Sequence, residues 1–112
     1  MSKLFSFFKS KEGSLPEFSE RADALRPTLS SMSSEQLLKV LIEVSKVWTY
    51  DYEERKPFMQ ELFDRLPQKM QVSLIACLTD CLPGREVSRD IPLALSQVKK
   101  EKLVEMTSSF AL

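Results

Sequence analysis

One segment, SSEQLLKVLIEVSKVW at residues 33–48, constrains the fold more than any other part of the chain. Ser33 and Gln36 fit a capping box, in which each side chain satisfies a backbone N–H group at the start of a helix. Apolar residues then recur at helical spacing and form a stripe wide enough to face a core, namely Leu37, Leu38, Leu41, Ile42, Val44 and Trp48. The pattern predicts a central helix over residues 34–48.

Four further stretches show helical periodicity between interrupting residues. They cover residues 16–26, 58–66, 68–82 and a last stretch that Asp90 caps and that continues to about Met106. The first of them should stop near Arg26, because the residue before a proline, here Pro27, is disfavoured in helical conformation. The segment TYDYEERKP, residues 49–57, breaks the pattern before Phe58. We expect an all-α, single-domain bundle of four or five short helices.

The chain of 112 residues suits one domain with one modest core. A polar hinge, KSKEGS, contains Gly13 and separates the start of the chain from the rest. We therefore divide the sequence into an amphipathic basic N-terminal segment, residues 1–13, and a helical bundle domain, residues 14–112.

Composition argues against an enzyme. The chain has no histidine, so nucleophile systems that depend on histidine and helical metal sites of the Glu-x-x-His kind both lack an essential group. The only two glycines, Gly13 and Gly84, do not belong to a phosphate-binding loop. We expect no catalytic residue, no cofactor and no metal site.

Four residues with reactive or metal-binding side chains have structural interpretations. Cys77 and Cys81 are four positions apart on a predicted helix, within an apolar stripe where free cysteine behaves as a small hydrophobic residue. Glu61 and Asp64 share one helix face, as exposed acidic pairs commonly do. We expect core packing for the cysteines and a solvated face for the carboxylates.

Nucleic-acid binding is disfavoured by charge. Sixteen basic and sixteen acidic residues cancel, so binding to an acidic partner would need a local patch. Lys99, Lys100 and Lys102 on the last predicted helix imitate a DNA-recognition helix, but nearby acidic residues leave too small an excess of positive charge. A small DNA-binding regulator is therefore the weakest functional alternative.

Aromatic residues cluster in WTYDYEERKPF, residues 48–58. Tryptophan, tyrosine and arginine are enriched at binding hot spots, because they bury large rigid areas and keep a polar group. This composition predicts a partner-binding surface made of Trp48, Tyr50, Tyr52, Arg55 and Phe58. In the alternative interpretation, Trp48 ends a core stripe and the tyrosines cover the edge of the core.

The opening residues, MSKLFSFFKSK, have the composition of an amphipathic helix. Wound as a helix, their apolar side chains fall within an arc of about 160°, with Lys3, Ser6, Lys9 and Ser10 opposite and only Lys11 near the apolar arc. Three phenylalanines beside lysines suit an anionic membrane interface, a groove on another protein, or the protein's own core. The predicted membrane or partner contact comprises Leu4, Phe5, Phe7, Phe8 and Lys9.

These features predict a non-enzymatic protein–protein interaction module, a small adaptor or regulator that binds a protein partner of unknown identity. Self-association into a homodimer is compatible with this function, since a chain with no net charge lacks the repulsion that keeps copies apart. The first alternative function is a peripheral membrane protein with a weak anionic membrane contact, and the second is the DNA-binding regulator. No apolar run approaches the ~18 residues that span a bilayer, so we expect a cytoplasmic location, with the membrane surface as its alternative.

Overall fold

The computed structural model describes residues 18–47, 50–108 and 110. Within those ranges the chain is helical and has no strand, which confirms the all-α class. Six α-helices are present there, one more than the predicted maximum. They are α1 (Phe18–Leu29), α2 (Ser34–Ser45), α3 (Tyr52–Arg65), α4 (Gln68–Cys81), α5 (Ile91–Gln97) and α6 (Lys100–Thr107), with a 3₁₀ turn at Val87–Arg89 before α5.

The extra helix arises because the last predicted helix is two helices. Val98 has an extended backbone (φ −92°, ψ 137°) and ends α5. The Lys46 ammonium donates to the backbone carbonyl oxygens of Leu95, at 3.0 Å, and Ser96, at 3.1 Å, and also to that of Val98. A side chain from a distant part of the sequence thus donates hydrogen bonds to the carbonyl groups that would accept backbone hydrogen bonds if the helix continued.

Two prolines lie inside helices, which corrects two predicted boundaries. Helix α1 continues through Pro27, and α3 starts at Tyr52 and includes Pro57. A proline cannot donate to the carbonyl four residues earlier, which here belongs to Asp23 or Glu53. Both of these residues and both prolines are exposed, so water can reach the released carbonyl groups.

Helix α2 is the centre of the bundle, as its sequence predicts. It packs most extensively on α3 and also contacts α5 and α6. The Ser33 and Gln36 capping box forms as predicted, and Leu37, Leu38, Leu41, Ile42 and Val44 of the predicted apolar stripe are buried in the core. The apolar residues that are wholly inaccessible to solvent are Leu41, Val44, Met59, Leu62, Leu74, Leu78, Leu95 and Leu103.

A buried guanidinium connects α3 to the end of α2. Arg55 is only 1% exposed. Its Nη1 donates to the carbonyl oxygens of Val44 (3.0 Å) and Ser45 (2.9 Å), and its Nε donates to that of Tyr50 (3.1 Å). Burial lowers the pKa of Arg55, while Tyr52 and the Asp51 carboxylate act in the opposite direction. The side chain therefore caps the C-terminus of α2 with a positive charge, which interacts favourably with the negative end of the helix dipole.

Replacing this guanidinium should destabilise the fold strongly. Arg55→Met would leave buried carbonyl groups without their donor, so we expect the free energy of unfolding to fall by about 3 kcal/mol. Arg55→Lys should lose about half as much, because an ammonium keeps the charge but cannot match the planar fork of donors. Urea denaturation followed by circular dichroism measures both values.

The matched control is Arg65→Met, which makes the same change at the exposed end of the same helix. Arg65 pairs with Glu61 at 3.6 Å, and an exposed pair of this kind contributes little. Equal losses for Arg55→Met and Arg65→Met would contradict the capping role of Arg55.

Candidate docking groove

Three of the five predicted partner-binding residues are inside the protein. Tyr50, Arg55 and Phe58 are 6%, 1% and 2% exposed. The Phe18 ring meets the Tyr50 and Phe58 rings edge to face, with centroids 5.1 and 6.0 Å apart. Their assignment to an exposed partner surface is therefore corrected, because these side chains fill the core between α1 and α3. Trp48 lies outside the described residues.

Tyr52 remains at the surface and joins α3 to the start of α5. Its Oη donates to Asp90 Oδ1 at 2.7 Å, the Leu93 N–H donates to the same oxygen at 3.2 Å, and Lys56 Nζ lies 3.3 Å from Asp90 Oδ2. Burial and the Asp90 carboxylate raise the pKa of the Tyr52 phenol. The phenol stays protonated at neutral pH and acts here as a hydrogen-bond donor that links two helices.

The acidic pair of α3 and one lysine of α6 also make structural contacts. The Arg26 Nε donates to both carboxylate oxygens of Glu61, at 2.8 and 3.1 Å, and this contact holds α1 against α3. Asp64 accepts a hydrogen bond from Gln60 at 3.0 Å. Lys102 lies 3.8 Å from Glu105, so its charge is partly balanced on its own helix.

The two cysteines are half-buried in α4. Cys81 Sγ lies 3.2 Å from Met106 Sδ and links α4 to α6. Burial raises the pKa of Cys77, and Asp80 and Cys81 act in the same direction. A raised pKa disfavours the thiolate, which is the reactive form of cysteine.

A groove of about 410 Å³ runs between α2 and α6. Leu38 and Ile42 form its floor and are each 4% exposed, while Val104 on α6 is 50% exposed and forms an apolar wall. The rest of its lining is polar and consists of Glu35, Lys39, Glu43, Lys100, Thr107 and Ser108. The groove thus combines an apolar interior with a charged rim.

Ion pairs define the ends of this groove. Lys100, at the start of α6, lies 2.5 Å from Glu43, near the end of α2. The same groove extends to Glu35 in the first turn of α2 and to Ser108 after the last turn of α6. The two helices therefore run in opposite directions along the groove. Glu35 pairs only loosely with Lys39, at 3.6 Å, and both side chains are more than half exposed.

One sequence feature indicates this groove, namely an apolar residue on the last helix that does not face the core. Leu103 on α6 is fully buried and marks the edge of that helix that faces the core. Val104 is apolar but lies away from that edge, next to Leu103 in sequence. It lines the groove together with Leu38 and Ile42, and apolar residues that are contiguous at a surface can indicate a docking site.

Other kinds of site are not evident in the part of the chain that the structure describes. No cluster of three or more cysteine, aspartate or glutamate side chains there could hold a metal ion. None of the helices in those ranges has the length and apolar content to cross a bilayer. Leu4, Phe5, Phe7, Phe8 and Lys9, the predicted membrane or partner contact, lie outside the described residues.

Asp90 gives a pH-dependent test of the contact between α3 and α5. Burial alone would raise its pKa, but hydrogen bonds from Tyr52, Leu93 N–H and Lys56 outweigh that effect and leave the pKa below its ordinary value. A carboxylate with a lowered pKa stabilises the fold above its unfolded-state pKa of about 3.9, and this stabilisation is lost as the pH falls through the folded-state value.

We therefore expect Asp90→Asn, which keeps an N-cap side chain but removes the charge, to be less stable than the natural chain near pH 7. That difference should shrink as the pH falls below about 4. Chemical denaturation of both proteins across this range measures it. A difference that stays constant from neutral to acidic pH would contradict the assigned contacts.

Comparison with known proteins adds no family to this description. No protein-family model, curated protein or solved structure matches the chain.

Proposed function

We propose that the chain is a non-enzymatic protein-interaction module whose groove between α2 and α6 docks an amphipathic helical segment of a protein partner. The observation that carries this proposal is the half-exposed Val104 beside the apolar floor of Leu38 and Ile42. Amphipathic helices bind other proteins by laying one apolar face into a groove of this kind.

The dimensions of the groove suit a few large side chains. Its volume of about 410 Å³ falls within the range of roughly 300–1,000 Å³ that is common for binding pockets. Anchoring residues three or four positions apart on a helix lie on one face. Two or three such anchors would cover Val104 and exclude water from the floor.

The charges of the groove favour a basic residue beside those anchors. At one end, Lys100 and Glu43 already neutralise each other. At the other end, Glu35 lines the groove together with Thr107 and Ser108, which lie at the C-terminus of α6, the negative end of that helix dipole. A lysine or arginine of the partner placed there would fix the orientation of its helix.

A glutamate in the groove should abolish docking without unfolding the protein. We expect Val104→Glu to weaken binding at least tenfold, equal to about 1.4 kcal/mol, because a carboxylate would have to lose its water in the complex. The probe is a peptide selected on the full chain from a displayed library of helical peptides. Fluorescence anisotropy then gives its affinity for each variant.

Val72→Glu is the matched control, since Val72 is 59% exposed on α4 and is not among the residues that line the groove. It should leave the affinity unchanged. Failure to select peptides with apolar anchors at helical spacing, or equal losses for the two variants, would contradict the proposed function.

A further inference from the structure

We propose that the protein's own N-terminal segment, residues 4–9, docks in the groove between α2 and α6 and competes there with the partner. This inference rests on the proposed function of the groove and adds that the segment regulates access of the partner to it. A partner would then bind only after it displaces the segment.

The sequence of the segment matches what the groove should recognise. Leu4, Phe5, Phe7 and Phe8 include pairs three and four positions apart, the spacing at which helical side chains share one face. Lys9 follows directly, and it provides the basic residue that suits the end of the groove near Glu35.

The connection between the segment and the bundle is long compared with the bundle itself. Phe18, the first residue of α1, follows Lys9 by nine positions. An extended chain spans up to ~3.3–3.6 Å per residue, or about 30 Å over this length. The described part of the protein measures 40 × 29 × 22 Å, so the connection covers most of its longest dimension.

Attachment to the same chain makes weak docking effective. Attachment through a short connection gives an effective concentration in the millimolar range. A segment with an intrinsic dissociation constant of about 100 μM would then fill the groove in roughly nine of ten molecules and weaken partner binding about tenfold.

The test uses the full chain with labelled methyl groups. Nuclear Overhauser effects between the phenylalanine rings of residues 5–8 and the Val104 methyl groups are expected in dilute samples. A mixture of labelled and unlabelled chains should show no such effects between molecules. Effects only between molecules would identify a second copy as the occupant, and their complete absence would overturn the proposal outright.

Variants of the segment separate this proposal from the proposed function. Phe5→Glu with Phe8→Glu should remove the effects at Val104 and raise the affinity for the selected peptide about tenfold, whereas the control Ser6→Glu, on the polar side of the segment, should change neither. If no peptide binds but the nuclear Overhauser effects between the segment and Val104 persist, self-docking is supported and the proposed partner site is wrong. A different result would identify the segment as a membrane contact and show that self-docking is wrong. In that case the nuclear Overhauser effects at Val104 are absent, and the double variant abolishes binding to mixed phosphatidylserine–phosphatidylcholine vesicles.

Discussion

The end of α2 depends on the buried guanidinium of Arg55. A helix that stops inside a protein leaves carbonyl groups that water cannot reach, and each such group is costly unless it has a donor. Arg55 supplies donors to Val44, Ser45 and Tyr50 from the facing helix α3. This arrangement lets α2 end against α3 while the chain turns back through Tyr50, whose ring packs on Phe18.

A second cation extends this arrangement to the last two helices. Lys46 directly follows α2, and its ammonium caps the end of α5. Burial lowers the pKa of Lys46, the nearby charge of Arg55 lowers it further, and Glu101 partly compensates. Because α5 ends there, α6 can begin at Lys100 and place that residue beside Glu43. The groove therefore depends on polar contacts at the end of α2 as well as on apolar packing along it.

The sequence predicted the features that depend on neighbouring residues. Helical spacing identified the buried face of α2, and the Ser33 capping box located its start. The break between α5 and α6 was missed because it depends on Lys46, which lies about 50 positions away in sequence. The role of Arg55 was misassigned for the same reason, since its carbonyl partners come together only when α2 packs on α3. The local rule for proline likewise placed the end of α1 wrongly, because it does not take account of exposure. The interrupted apolar pattern in residues 49–57 placed the start of α3 too late in the sequence.

The polar contacts at the end of α2 hold the groove in shape. The most direct measurement is the methyl spectrum of Val104 in the natural chain and in Arg55→Lys, under conditions where both remain folded. Our account predicts that the Val104 signals move and lose their contacts with Ile42, while the signals of Val72 on α4 stay in place. Unchanged Val104 signals and contacts in the folded variant would show that the groove forms independently of Arg55 and would contradict the account.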